Sequence, residues 1–360
     1  MKIMLYDYFK NGINIGGWLS QLDCLPRVPQ TAEEVRGHLD HFITERDIQR
    51  IASWGLDHIR IPVDEMFLVD GKEGGEGCSA YFYLDQCAEW CKKYKVNMII
   101  DLHRMEGHTY SMAEVEPLLV KEELRQRFLG FWEGLARHFY GRKQPVILFD
   151  LLNEVCDKTG YLWNRLYKQA IERIRAVDPQ RAILVGGNEQ NSVFCLKELE
   201  LVEDTGVYYG FHFYDPLAFT HQKAHFSEDM KKYDQDVSYP GEIPGFCSFL
   251  QENPQYITKY LRTAFETEVS RKAMERLLED AFYFQEYSGH ELYCGELGVI
   301  DTVNAEDAAG WLRDCFSCLD QHRIGHAVWN YKEMDFGFMN ADGSVRSRRR
   351  LEQVYGVKEE

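Results

Sequence analysis

Short apolar runs alternate with longer amphipathic stretches along almost the whole chain. The runs are rich in Ile, Val, Leu and aromatic residues, a pattern that predicts buried strands. The stretches between them repeat apolar residues at helical spacing and predict helices. The predicted strands lie at residues 14–17, 57–62, 96–102, 146–151, 182–185, 207–213, 292–295 and 326–329, and the predicted helices at 44–54, 83–94, 122–140, 161–177, 273–287 and 305–321.

Eight buried strands that alternate with helices in one uninterrupted chain favour an α/β fold of the (β/α)8 TIM-barrel type over an open sheet. The 360 residues, 45% of them hydrophobic, are enough to fill such a core. We find no linker and therefore expect a single barrel domain over residues 1–360. Thr44 and Asp47 resemble a capping box at the start of one helix. The glycines at 74, 75 and 77 follow no strand into a helix and are interpreted as a surface loop.

The ten cysteines are interpreted as free thiols, because the chain is large and its first residues show no export signal. Cys87 and Cys91 lie four apart on one predicted helix, and Cys315 and Cys318 lie three apart on another. Neither pair has matching His or Cys partners nearby, so both are expected in the core rather than at zinc. We expect a cytoplasmic protein, or a secreted one if a signal peptide preceded residue 1.

The formal net charge of −17 opposes binding to nucleic acid or to an anionic membrane. Arg346, Arg348, Arg349 and Arg350 form a basic cluster that we interpret as a solvated helix face. A neutral small or oligomeric ligand fits this charge better, and the 14% aromatic content agrees with stacking on sugar rings. We expect no metal and no other cofactor, and the sequence makes no prediction of the oligomeric state.

Polar and aromatic residues gather at the predicted carboxyl ends of the strands, where barrels of this kind carry their active sites. Glu154 follows the fourth strand and Glu296 follows the seventh, and two carboxylates so placed are the minimum machinery for cleaving a glycosidic bond. The other residues at these strand ends are Arg60, His103, Asn153, His212, Tyr214 and Trp329. Each of them, taken singly, has a structural explanation. Their shared position at one end of the barrel nevertheless predicts an active site.

Four short motifs resemble the pattern of glycoside hydrolase family 5, and the resemblance covers nearly the whole chain. Residues 12–19 and 42–63 are similar to the exo-acting β-glucanase branch of that family and to related bacterial β-glucosidases. The motifs are Asn153-Glu154, His212-Phe213-Tyr214, Gly295-Glu296 and Arg60-Ile61-Pro62-Val63.

The resemblance implies that Glu154 is the acid/base and Glu296 the nucleophile of a retaining double displacement. The nucleophile must stay ionised, and Arg60 and Tyr214 are the neighbours expected to ensure this. The acid must hold its proton, so we expect Glu154 in a drier place with Glu296 as a nearby like charge, because both raise its pKa.

The remaining site residues receive binding roles from the same resemblance. Asn153 is expected to bind the sugar 2-hydroxyl, and Trp329 to form the stacking floor beneath the sugar that is cleaved. His103 and His212 are expected to bind hydroxyls or to orient the carboxylates.

The expected activity is retaining hydrolysis of β-glucosides or short β-glucan oligosaccharides. An endo-acting β-1,4-glucanase or β-mannanase of the same family is the alternative, and a non-catalytic carbohydrate-binding barrel is the alternative of another class. A metal-dependent hydrolase that uses Asp101, His103 and His212 lacks the expected ligand spacing. A serine hydrolase is disfavoured because no G-x-S-x-G elbow occurs at a strand-to-helix turn.

Two loops carry the predictions about substrate. Residues 215–254 are expected to fold over the barrel mouth and narrow it to a pocket, which favours exo action or short oligosaccharides. Residues 104–120 are a second possible wall, with Met105, His108, Tyr110 and Met112 available for contact. The exo-glucanase branch has a glutamate where this chain has Ser20, Gln21 and Leu22 followed by Asp23, so β-1,3 and β-1,4 linkages both stay open. The aromatic residues of the first loop are Phe219, Phe226, Tyr233, Tyr239, Phe246 and Phe249.

Overall fold

Eight parallel strands close into a barrel in the computed structural model, which describes residues 3–68, 79–111 and 114–359. Each strand pairs with the next along the chain, and the first pairs with the last, so the predicted (β/α)8 barrel is confirmed. The strands are β1 (Asn11–Asn14), β2 (His58–Asp64), β3 (Asn97–Arg104), β4 (Ile147–Asp150), β5 (Ala182–Gly186), β6 (Val207–Phe213), β7 (Leu292–Leu297) and β8 (Gly325–Val328).

Helices surround the barrel and fill the loops between its strands. The longer ones are Ala32–His41, Glu45–Ser53, Ala80–Tyr94, Glu122–His138, Tyr161–Val177, Glu279–Ser288, Ala305–Gln321 and Arg348–Tyr355. The shorter helices are Leu5–Tyr8, Pro117–Val120, Leu217–Thr220, Glu228–Tyr233, Phe246–Glu252, Ile257–Tyr260 and Arg271–Leu277, with 3₁₀ turns at Leu22–Cys24, Glu65–Phe67, Val193–Glu198 and Pro254–Tyr256. No helix of the described ranges is both long and apolar enough to span a membrane.

Several predicted details hold and others need correction. The capping box of Thr44 and Asp47 is present at the start of its helix. The first strand was predicted at 14–17 and lies at Asn11–Asn14, because residues 15–17 already belong to the turn that leaves the barrel. The helix predicted at 273–287 consists of two helices separated at Leu278. The predicted glycine loop at 74–77 lies outside the described residues.

The basic cluster near the C-terminus is a solvated helix face only at Arg348 and Arg349, so that interpretation is wrong for Arg346 and Arg350. The Arg350 side chain is buried, lies over the ring of Phe338 and donates a hydrogen bond to the carbonyl of Val299. Arg346 precedes the helix and forms ion pairs with Asp301 and Glu333. These two arginines therefore attach the C-terminal segment to the barrel.

The described cysteines include no disulfide and agree with the predicted free thiols. Cys87 and Cys91 are buried with their sulfurs 3.9 Å apart, and Cys315 and Cys318 are buried on their own helix. Both pairs are core residues, as predicted.

Strand alternation gives the barrel interior an apolar floor and a charged upper layer. Successive side chains of a strand point to opposite faces, so residues two apart share the interior. Ile99, Leu148, Leu184, Tyr208 and Tyr293 form part of the floor together with the N-terminal helix. One step further along the strands, the interior positions hold a buried arginine on β2 and buried aspartates on β3 and β4.

A segment of more than fifty residues, 215–270, connects β6 to the helix Arg271–Leu277. It contains four short helices and a two-stranded antiparallel ribbon, Gly241–Glu242 with Glu268–Val269. Most of the aromatic residues of the predicted loop form the core of this segment, because Phe219, Tyr233, Tyr239 and Phe246 are buried. Its residues near 221–226 reach the barrel mouth, where the ring of His221 packs against Tyr214 and Phe336.

Candidate active site

Arg60 lies at the centre of the upper barrel layer and is fully buried. Its guanidinium forms ion pairs with Glu296 at 2.8 Å, Asp150 at 3.0 Å and Asp101 at 3.1 Å. Burial alone would lower the pKa of Arg60, but the surrounding carboxylates raise it above its ordinary value. Because a guanidinium presents its donors in a fixed fork, Arg60 determines where these carboxylates lie. It also donates hydrogen bonds to the side-chain oxygens of Asn14 and Asn153, each at 3.0 Å.

Glu296 lies one residue before the end of β7 and is surrounded by hydrogen-bond donors. Arg60 donates to Oε1 at 2.8 Å, and the hydroxyl of Tyr214 donates to Oε2 at 3.0 Å. Only 7% of the Glu296 side chain is exposed. Donors of this kind stabilise a carboxylate in its ionised form, which is the form that a nucleophile needs.

Glu154 stands in a different environment, at the turn that follows β4. Its backbone has a φ of 46°, a left-handed conformation that non-glycine residues seldom adopt. One quarter of its side chain (25%) faces the cleft. Burial nonetheless raises the pKa of Glu154 to about 7, while the charge of Arg60 acts in the opposite direction. The expected elevation is therefore present, with burial rather than the charge of Glu296 as its cause.

His212 stands between the two glutamates. Its Nδ1 lies 3.2 Å from Glu154 Oε1 and 3.7 Å from Glu296 Oε2. Burial lowers the pKa of His212 to about 3, so the imidazole is neutral at ordinary pH. Gly295 leaves room for this ring, because a Cβ at that position would lie 3.1 Å from His212 Nε2.

Trp329 and His103 form a flat wall on the other side of the mouth. Their rings are stacked, with centroids 5.6 Å apart and 7° between the planes. His103 Nδ1 lies 2.7 Å from a carboxylate oxygen of Asp101, and burial lowers the pKa of His103 to about 3. The indole lies directly over Gly16, where a Cβ would come within 2.4 Å of the ring. The peptide bond between Trp329 and Asn330 is cis.

The loop after β3 contributes less to the cleft than predicted. Met105 and His108 were predicted to be available for substrate contact, but their side chains are buried. The Tyr110 hydroxyl donates a hydrogen bond to the carbonyl of His103, and Met112 lies outside the described residues. Asp23, on the loop after β1, forms an ion pair at 2.7 Å with Arg104.

One group of three side chains could hold a cation, among the residues that the structure describes. A carboxylate oxygen of Glu154, a ring nitrogen of His212 and a carboxylate oxygen of Glu296 all lie within 4.8 Å of one another. Arg60 and Tyr214 already donate to Glu296, and a nearby guanidinium disfavours a second cation. The set Asp101, His103 and His212, considered from the sequence, does not form such a group in the described part of the chain.

All eight candidate residues fall into one connected site, but some of their partners were not predicted. Asp150 had no assigned role, and Asp101 was considered only as a metal ligand, yet both hold Arg60. Asn14 links Arg60 to the backbone of Gly295. The signal available was the presence of acids inside apolar strand runs, because a buried charge requires a partner.

Comparisons with known proteins place these features in a family. The model of the cellulase family, glycosyl hydrolase family 5, matches residues 30–335. Endoglucanase C of Acetivibrio thermocellus is 37% identical over 338 residues, covering 93% of this chain and 94% of its own length. Cellodextrinase A of Ruminococcus flavefaciens is 35% identical and covers 94% of this chain and 90% of its own length.

A solved structure supports the same architecture. The endoglucanase Cel5A from the hyperthermophilic Thermotoga maritima superposes with a TM-score of 0.72 at 19% identity, covering 98% of this chain and all (100%) of that one. At this identity the likeness concerns the fold alone.

Proposed function

The chain belongs to glycosyl hydrolase family 5 and is a glycoside hydrolase, and we propose that it cleaves β-1,4-linked glucan chains with retention of anomeric configuration. We further propose that residues 1–360 form one catalytic domain. Glu296 is the nucleophile and Glu154 the acid/base in this proposal. The observation that carries it is the contrast between these two carboxylates, placed close together with opposite surroundings.

The spacing of the two carboxylates supports retention. A carboxylate oxygen of Glu154 lies within 4.8 Å of a carboxylate oxygen of Glu296. Retaining enzymes hold the two carboxyl groups about 5–5.5 Å apart, whereas inverting enzymes separate them by about 6.5–9.5 Å to admit a water molecule. The spacing therefore agrees with the shorter, retaining separation and supports direct attack by Glu296 on the anomeric carbon.

The reaction follows from the surroundings of the two groups. The Glu296 carboxylate, which accepts hydrogen bonds from Arg60 and Tyr214, attacks the anomeric carbon and forms a glycosyl ester. Glu154, with its pKa raised to about 7, gives its proton to the leaving oxygen. The resulting Glu154 carboxylate then takes a proton from the incoming water, which releases the sugar from Glu296 and restores both groups.

The remaining site residues bind the sugar around the anomeric carbon. Trp329 supplies a flat apolar face against which a pyranose ring can stack. Asn153 has its side-chain oxygen held by Arg60, so its amide NH₂, which also contacts the Tyr110 hydroxyl, is the donor that we propose binds the 2-hydroxyl. His212 is proposed to contact the carboxylates, and His103 to bind a hydroxyl from the wall that it shares with Trp329.

The substrate assignment rests on the relatives. Proteins named endoglucanase and cellodextrinase match this chain over more than nine tenths of its length. A glucan 1,3-beta-glucosidase of Schizosaccharomyces pombe is 30% identical but covers only 29% of the chain. The β-1,4-glucanase alternative is therefore better supported than the β-glucosidase or exo-glucanase activity expected first. The partner in this proposal is a β-1,4-glucan or cello-oligosaccharide.

The test is hydrolysis of cellohexaose, laminarihexaose, mannohexaose and 4-nitrophenyl β-glucoside, together with soluble carboxymethyl cellulose. We expect cleavage of cellohexaose at internal bonds and a fall in viscosity of the polymer that precedes the release of reducing sugar. Proton NMR at early times should show the β-anomer as the first product. Glucose as the only first product would restore exo action, preferential cleavage of mannohexaose would favour β-mannanase, and an α-anomer would overturn the assignment of Glu296.

Where the enzyme acts is a separate proposal. We propose that the enzyme acts in the cytoplasm. It would then act on imported oligosaccharides, because polymeric glucan does not enter cells. Fractionation of the producing cells, with activity on cellohexaose measured in each fraction, tests this location. Activity mainly in the medium would contradict it.

A further inference from the structure

A left-handed turn after β5 lies beside the two glutamates and has no role in the function proposed so far. Glu189, Gln190 and Asn191 have φ values of 47°, 60° and 56°. L-residues avoid this conformation because their Cβ approaches a carbonyl oxygen, at a cost of about 1–2 kcal/mol per residue. Three consecutive residues of this kind persist only when their surroundings hold them in place.

The loop after β4 holds this turn through several hydrogen bonds. The Gln190 amide donates to the carbonyl of Val155, one residue beyond Glu154, at 3.1 Å. Asn188 is bound on both sides by the backbone of Asp157: its side-chain oxygen accepts from the Asp157 amide at 2.7 Å, and its NH₂ donates to the Asp157 carbonyl. The turn is therefore fixed to the same loop that carries the proposed acid/base.

The result of this geometry is to place the Asn191 side chain against the imidazole of His212. Asn191 is 2% exposed, and its NH₂ lies 3.2 Å from His212 Nε2. Gly186 provides the space, since a Cβ there would lie 2.4 Å from the Asn191 side-chain oxygen. Two independent features, the left-handed turn and a glycine on β5, thus serve the same contact.

A neutral imidazole carries one ring proton, and its partners decide which nitrogen holds it. With the NH₂ of Asn191 donating to Nε2, that nitrogen must be an acceptor. The single proton then lies on Nδ1, which faces Glu154 at 3.2 Å and Glu296 at 3.7 Å. We propose that Asn191 is a positioning residue that keeps the ring proton of His212 on Nδ1, directed at the two carboxylates.

The consequence concerns Glu154 most, and this inference rests on the proposed function. A donor at Nδ1 favours the ionised form of Glu154, which is the form that must act as base in the second half of the reaction. If the proton moved to Nε2, the lone pair of Nδ1 would face the carboxylate and destabilise it. Other charged or titratable groups around His212 are Arg60 on β2, His103 on β3, Glu296 on β7 and Tyr214 at the end of its own strand.

The direct test reads the tautomer of His212 by ¹⁵N NMR of histidine-labelled protein, with His212→Gln used to assign the signals. We expect the Nδ1-protonated tautomer in the unmodified chain. Asn191→Ala should shift the population toward the Nε2-protonated form. Gly186→Ala should act in the same direction, because it displaces the Asn191 amide without removing it. Gln190→Ala, from the same turn but directed at the Tyr110 carbonyl, is the matched control and should leave the proton on Nδ1.

A kinetic measurement adds a second readout on an aryl β-cellobioside. Without the Nδ1 donor the pKa of Glu154 should rise, so the alkaline limb of kcat/KM for Asn191→Ala should move upward by about one pH unit. The value of kcat should fall roughly tenfold because the second step lacks its stabilised base, and KM should change little.

The outcomes separate the two proposals. An Nε2-protonated His212 in the unmodified chain overturns the inference, as does an unchanged tautomer and pH profile in both Asn191→Ala and Gly186→Ala. The NMR measurement requires no turnover. Failure of the chain to hydrolyse any β-1,4-glucan would therefore overturn the proposed function while the tautomer assignment is still decided independently.

Discussion

The surroundings of Glu296 and Glu154 differ although both carboxylates face one cleft. Arg60 and Tyr214 donate directly to Glu296, and these donors belong to the buried network of the upper barrel layer. Glu154 lies on a left-handed turn outside that network, and its one described side-chain hydrogen bond is with His212. The barrel thus separates two chemical roles by giving one acid charged donors and the other a neutral, partly dry environment.

The largest loss of activity is expected when each of the two carboxylates is removed in turn. Glu296→Gln and Glu154→Ala should each lower kcat on cello-oligosaccharides by roughly four to six orders of magnitude. Azide should restore turnover only in Glu154→Ala with a dinitrophenyl β-cellobioside, because a small anion can replace the water that the base no longer activates. Rescue of Glu296→Gln instead, or near-normal activity of either variant, would contradict the assigned roles.

A smaller loss of activity is expected when Arg60, which holds the proposed nucleophile, is replaced. Arg60→Lys keeps the positive charge but loses the fork that contacts Asp101, Asp150 and Glu296. We expect kcat to fall by about 10²–10³-fold. Arg142→Lys is the control, since Arg142 pairs with two exposed carboxylates on the helix Ala80–Tyr94, outside the barrel, and should keep full activity. Equal behaviour of the two variants would show that the fork is dispensable.

The pH dependence of kcat/KM in the unmodified chain tests the raised pKa of Glu154. Glu154 must be protonated to act as the acid, and its pKa is raised to about 7. The value of kcat/KM should therefore fall as pH rises through about 7, tenfold per unit well above it. With a dinitrophenyl leaving group, which needs no protonation, this alkaline limb should disappear. A limb that persists for that substrate would have to be assigned to another group.

The free energy of unfolding should depend on pH through the buried carboxyl group of Glu116. Burial raises the pKa of Glu116, which accepts a hydrogen bond from the Cys156 amide, to about 7. The folded chain then binds a proton that the unfolded chain has released, so the contribution of Glu116 to stability is lost as pH rises from about 4 through 7. Glu116→Gln should gain about 1–3 kcal/mol relative to the unmodified chain between pH 4 and pH 8, measured by urea unfolding. No pH-dependent difference would contradict the raised pKa.

The parts of the site that were predicted lie on regular strands or in the few residues that directly follow them. Arg60, Glu154 and Glu296 were found because parallel strands bring their carboxyl ends to one edge, so position along the chain translates into position in space. The apolar runs also gave seven of the eight strands close to their observed bounds. The first was misplaced by three residues, because the apolar positions continue into the turn that follows it.

The parts that were missed depend on contacts between distant segments. Nothing local in the residues 189–191 predicts three left-handed conformations, because asparagine alone among them tolerates that region well. The aromatic residues of 215–254 gave no sign of whether they would line a cleft or form a core of their own. In the structure the ribbon and short helices of 215–270 supply enough surroundings to bury most of them.

The left-handed turn after β5 has a counterpart after β8, where Glu333, Met334 and Asp335 have φ values of 57°, 59° and 59°. Glycine adopts this conformation without penalty, so glycine at such positions would favour folding. Six L-residues in two turns take up a sizeable share of the 5–15 kcal/mol that typically separates a folded domain from its unfolded chain. Both turns follow carboxyl ends of parallel strands and so lie at the same end of the barrel as the two glutamates. Glu189→Gly and Met334→Gly should therefore raise the melting temperature, and the activity of the two variants would show whether catalysis depends on either turn.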